Sequence, residues 1–108
     1  MDLTNLRLIS EGDKAFEKEM IETALIYLPD VMLELSNAIK NRDLKAIKFT
    51  AHTLKSSFYT VGINDESILN TLELEVIEDF TILENLYSKL QKILLISLER
   101  LEIELINL

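Results

Sequence analysis

Two glycines, Gly12 and Gly62, and one proline, Pro29, are all the chain-breaking residues in a sequence of 108. A sandwich or barrel turns every few residues. Its turns draw on Gly, Pro, Asn and Asp for backbone angles that other side chains resist. So few breakers restrict the chain to a small number of long elements. The length supports one domain, residues 1–108, around a single core. An apolar fraction of 48% is enough to fill that core.

Composition removes several functions. Without cysteine there is no disulfide framework, no thiolate zinc site and no Cys nucleophile, which fits a reducing compartment. A formal net charge of −8 argues against binding nucleic acid, whose backbone calls for a broad cationic surface. Met1-Asp2-Leu3-Thr4-Asn5 lacks the basic start and apolar run of a signal peptide. The apolar stretch near Leu90–Leu108 is broken by Glu99, Arg100, Glu102 and Glu104, so membrane insertion is not expected. A cytoplasmic protein is the expectation.

The apolar spacing is helical throughout. Leu3, Leu6, Arg7 and Ile9 suggest a short lead-in helix ending near Gly12. Asp13 is placed to cap a long helix whose apolar positions run Phe16, Met20, Ile21, Ala24, Leu25, Leu28. Pro29 either bends this helix or begins a second segment through Val31, Met32, Leu35 and Ile39. Asp43 caps a third element over 44–61, which Gly62 ends in a left-handed conformation. Asn64 or Asp65 opens a fourth through Ile68, Leu69, Leu72 and Val76. Thr81-Ile82-Leu83-Glu84 has capping-box spacing and opens the last helix. Helices with apolar faces and short connections predict an all-α fold: an antiparallel four-helix bundle with a short N-terminal lead-in.

The chemistry gathers on the third helix. At about 100° per residue, Ala46, Ile47, Thr50, Leu54, Ser57, Phe58 and Val61 fall on a core side. His52, the only histidine, falls opposite, among Lys45, Lys48, Lys55, Ser56 and Tyr59, with Phe49 at the margin. A neutral imidazole is a nucleophile near pH 7. Lys55, one turn on, can disfavour imidazolium and pair with phosphoryl oxygens. Phe49 and Tyr59 could flank a docking patch. Read from spacing alone, a lone exposed histidine and three lysines on an outer face more often make up just a solvated helix face.

The run Ala51-His52-Thr53-Leu54-Lys55-Ser56-Ser57-Phe58-Tyr59-Thr60-Val61-Gly62 resembles the signature of histidine-phosphotransfer domains of multistep two-component phosphorelays. His52, Lys55, Ser57 and Gly62 match its order and spacing. Gly12-Asp13 through Phe16, Leu28, Leu35 and Asp43 looks like the family's lead-in, and Leu72-Glu73 resembles its Leu-Glu element. Two positions depart. Ser56 stands where the family most often has Gly, and Tyr59 where it usually has a smaller side chain. The Ser56 hydroxyl either meets a phosphoryl oxygen or folds back onto the carbonyl four residues earlier.

The resemblance implies a phosphoryl carrier and not a kinase. His52 would take the group on its outer ring nitrogen from a receiver-domain aspartate and hand it to another. Lys55 would steady the phosphoryl charge, with Lys45, Lys48, Phe49, Ser56 and Tyr59 in the docking face. The partners implied are receiver domains of response regulators or hybrid histidine kinases. No cofactor is expected on this chain; the Mg²⁺ would belong to the receiver. The sequence itself has no Gly-rich loop or Walker pattern for a nucleotide.

Two competing readings remain at this point. One is a helical module that binds a signalling partner without phosphorylation. The apolar C-terminal helix keeps it open: that helix packs on the lead-in or forms a dimer contact, the expected state otherwise being a monomer. The other is a metal site from Glu73, Glu75, Glu78 and Asp79. Carboxylate-rich bundles normally add Glu-x-x-His pairs, and His52 lies off this cluster, so a solvated acidic loop explains it more simply.

Overall fold

The computed structural model describes residues 2–63 and 66–108. Among them the chain forms five helices and no strand: α1 (Thr4–Ser10), α2 (Lys14–Lys40), α3 (Leu44–Val61), α4 (Ser67–Leu74) and α5 (Phe80–Ile106). The shape is a rod of 45 × 20 × 18 Å. Its length matches the roughly 40 Å expected of the two 27-residue helices, α2 and α5.

Caps set most boundaries. The Asp13 side chain accepts from the Phe16 amide at 3.1 Å, and Asp43 accepts from the Ala46 amide at 3.1 Å. Gly62 ends α3 at φ +76°. The α5 boundary differs from the expected capping box. Asp79 is the cap, accepting from the Thr81 and Ile82 amides at 2.9 and 3.3 Å, and Thr81 lies inside the first turn. Asp ranks above Thr as a cap, and Asp79 also satisfies two amides that Thr81 would leave open. The expected caps Asn64 and Asp65 lie outside the described residues. α4 stops at Leu74, short of the exposed Val76.

Pro29 does not begin a new segment; α2 continues through it. A mid-helix proline costs about 3 kcal/mol. Ile21, Ala24 and Leu28 before it, and Val31, Met32 and Leu35 after it, are buried on one face. Each large side chain among them contributes about 1.5–3 kcal/mol, so keeping that face continuous outweighs the proline. The core they build also takes Ile47, Ala51, Leu54 and Phe58 from α3, Leu69 and Leu72 from α4, and Leu83, Leu90, Leu94 and Leu101 from α5. Ala46 and Ser57 only edge into it, and Ala51 is a core member beyond those expected.

α2 packs against α3 and α5, and α4 against α3 and α5. The Tyr87 hydroxyl donates to the Met32 carbonyl at 3.3 Å, tying α5 to α2. α1 packs on α2 and α3, so α5 does not rest on the lead-in helix. In α1, Leu6 and Ser10 are buried, whereas Ile9 is exposed. One buried charge was not expected: Glu17 accepts from the Ser10 hydroxyl at 3.1 Å and pairs with Lys14 at 3.3 Å, pinning α1 to α2. No helix among the described residues is long and apolar enough to cross a membrane.

Candidate functional site

α3 presents His52 outward from mid-helix, 70% of its side chain exposed, on an element capped at both ends and buried along its opposite face. The imidazole is nevertheless held. Its Nδ1 lies 2.6 Å from Glu73 Oε1, across the α3–α4 packing. The other oxygen, Oε2, accepts from Lys55 Nζ at 3.1 Å. Glu73 is only 18% exposed and lies in the last turn of α4. A carboxylate is disfavoured there by the helix dipole. The hydrogen bond from His52, then that from Lys55, nonetheless holds the Glu73 carboxyl below its ordinary value. Glu73 is therefore ionised at neutral pH.

An ionised carboxylate can only accept, so Nδ1 carries the proton. In the neutral ring this assignment leaves the lone pair on Nε2. That form of the imidazole has one tautomer and a fixed orientation, with Nε2 available to attack an incoming electrophile. Lys55 adds positive charge one turn along the helix.

The remaining residues divide into two sides. Lys48 and Lys55 turn toward α4. Lys48 Nζ donates to the carbonyls of Glu73 at 2.9 Å and Glu75 at 3.0 Å. Lys48, expected in a docking face, is thus also engaged within the fold. Ser56 turns the other way, onto a shallow groove shared with Met20, Thr23 and Tyr27 of α2. Its hydroxyl does not fold back onto the His52 carbonyl. That bonding pattern is made by Thr53 to Phe49 at 3.0 Å, Ser57 to Thr53 at 3.4 Å and Thr60 to Ser56 at 3.2 Å. Phe49 and Tyr59 are exposed, at 71% and 60%, and bracket His52 along the helix. Lys45 is exposed in the first turn of α3, two turns from His52.

The acidic run is not a solvated loop feature throughout, because Glu73 belongs to the His52 site. Asp79 caps α5, and among the described residues no group of three or more His, Asp or Glu gathers to hold a metal. Comparison with protein families, with curated proteins and with solved structures finds no match to this chain.

Proposed function

We propose that this protein is a phosphoryl carrier of a two-component phosphorelay, with His52 as the carrier residue. The observation that carries the reading is the His52–Glu73 contact: an exposed imidazole whose Nδ1 proton is committed at 2.6 Å and whose Nε2 is open. The order His52, Lys55, Ser57, Gly62 supports it. So does the pairwise packing of α2 with α3, α3 with α4, α4 with α5 and α5 with α2, as in an antiparallel four-helix bundle. A cytoplasmic monomer is the state in which it would act.

In the proposed step, Nε2 attacks the phosphorus of a receiver's aspartyl phosphate. The P–N bond forms as the P–O bond breaks, and the electron pair leaves with the aspartate as its carboxylate. The ring gains positive charge, which Glu73 offsets through the proton it shares with Nδ1. Lys55 stands beside the incoming phosphoryl oxygens. The receiver brings the Mg²⁺, and this chain contributes positioning and charge, as phosphoryl transfer requires. Return transfer to a second receiver reverses each bond change.

The test is to incubate the protein with a panel of phosphorylated receiver domains. The expected result is acid-labile, base-stable label on this chain, returned to an unphosphorylated receiver on mixing. ATP and Mg²⁺ alone should give none. No label from any receiver, or stoichiometric label from ATP in a kinase-free preparation, overturns the reading. The alternative, a helical module that binds without phosphorylation, draws on Ile96, Ile103 and Ile106, all exposed on α5. It predicts partner binding with no label.

A further inference from the structure

We infer that Lys48 is a positioning residue that acts on His52 through Glu73. This rests on the carrier reading above for its consequence in transfer, though not for its geometry. Lys48 precedes His52 by one helical turn and makes no hydrogen bond or ion pair to the imidazole or to the Glu73 carboxylate. It grips backbone instead: the carbonyls of Glu73 and Glu75, at 2.9 and 3.0 Å.

The need for that grip follows from α4 itself. α4 has eight residues, too few to hold helical form by local interactions alone. Glu66 at its start makes no side-chain capping bond. At its end the chain turns extended at Glu75, φ −101° and ψ 150°, leaving last-turn carbonyls without amide partners. Two anchors remain. Leu69 and Leu72 bury the inner face, and Lys48 ties down the C-terminal end. Leu72 sets the depth of the last turn. Lys48 then sets the position of Glu73's backbone, and with it the reach of the carboxylate to His52. A cation at this terminus also meets the negative end of the helix dipole.

The two lysines thus have separable roles. Lys55 meets the carboxylate and its charge. Lys48 fixes the carboxylate's location by holding the main chain. Without Lys48 the last turn of α4 should fray, the 2.6 Å contact should loosen, and Nδ1 should lose its fixed proton. In metal sites, loss of a partner that orients a ligand through hydrogen bonding typically costs about 10–100-fold, and a loss of that order is expected for the orientation of His52.

The experiment compares wild type, Lys48→Met and Lys48→Arg as full-length chains. Nitrogen NMR of the His52 ring is recorded at a pH where the ring is neutral, alongside receiver affinity and transfer rate. The tautomer readout needs no phosphoryl donor, so it stands whether or not the carrier reading survives. Lys48→Met should be folded, show a mixture of the two ring tautomers, and transfer about 10–100-fold more slowly with receiver affinity unchanged. Lys48→Arg, whose guanidinium can still donate to both carbonyls, should restore the Nδ1–H form and most of the rate. A folded Lys48→Met with the wild-type tautomer overturns the inference. Loss of receiver affinity at a wild-type tautomer returns Lys48 to a docking role. A Lys48→Met chain that no longer folds makes Lys48 a residue of the fold, and overturns it as well.

Discussion

His52→Gln should give a folded protein that takes up no phosphoryl group from any receiver or small donor. The fold should hold because the imidazole is 70% exposed and glutamine is a good helix former. Among the described residues the one side-chain bond lost is that to Glu73, which keeps its bond from Lys55, so stability should change little. The chemical loss should be complete because the chain has one histidine and no cysteine. The hydroxyls that donate to a carboxylate, Thr4 to Asp2 and Ser10 to Glu17, have only that weak base beside them, and Ser10 is buried. Thermal unfolding and labelling on the same preparation check both halves. Label persisting in the folded variant would mean that another group carries the phosphoryl.

Gly62→Ala should cost about 1.5–3.5 kcal/mol, the largest stability loss expected from adding one carbon at a glycine here. The residue sits at φ +76°, where a side chain costs about 1–2 kcal/mol. Space is the second penalty. A Cβ at Gly62 would lie 1.6 Å from the Asp2 carbonyl oxygen, a main-chain atom that cannot swing aside. The chain before α1 must then lift away, losing the Asp2 amide bond to the Gly62 carbonyl at 3.1 Å and straining the Asn5 bond to the Tyr59 carbonyl at 3.2 Å. A lost hydrogen bond adds about 0.5–1.5 kcal/mol. Gly12→Ala is the control. Gly12 has φ +88°, and a methyl there would meet nothing within 4 Å, so it should show only the backbone penalty. Denaturant unfolding of the two variants separates the terms. For a domain of this size the Gly62 variant should melt roughly 10 °C or more below wild type. Equal losses in the two variants would show that the contact with Asp2 contributes nothing.

Sequence and structure agree where local chemistry decides the outcome. Asp43 and Gly62 bound α3 as read, because a cap and a left-handed terminator act within one turn of themselves. The outward placement of His52 follows from helical projection of that same segment. What the sequence left open was decided across helices. Thr81-x-x-Glu84 has the spacing of a capping box, yet Asp79 two residues earlier satisfies both free amides. Glu73 lies 21 residues beyond His52, and only the packing of Leu69 and Leu72 on α3 brings its carboxylate to the imidazole. A signal was present: an acid in the last turn of a helix, against the dipole, calls for cationic partners. Lys48 and Lys55 lie on the same side of His52 and supply them. Lys48 read as a surface cation because a projection gives a direction and not the reach of a four-carbon side chain.

On the proposed phosphoryl-carrier function, Glu73 holds the Nδ1 proton of His52 and leaves Nε2 as the atom that carries the phosphoryl group. Phosphorus and nitrogen NMR on the labelled protein reads that atom directly. The account predicts a single phosphohistidine, with phosphorus bonded to Nε2 and the proton on Nδ1. In Glu73→Ala the same adduct should form about 10–100-fold more slowly. Phosphorus bonded to Nδ1, or an unlabelled His52 beside a labelled side chain elsewhere, would contradict it.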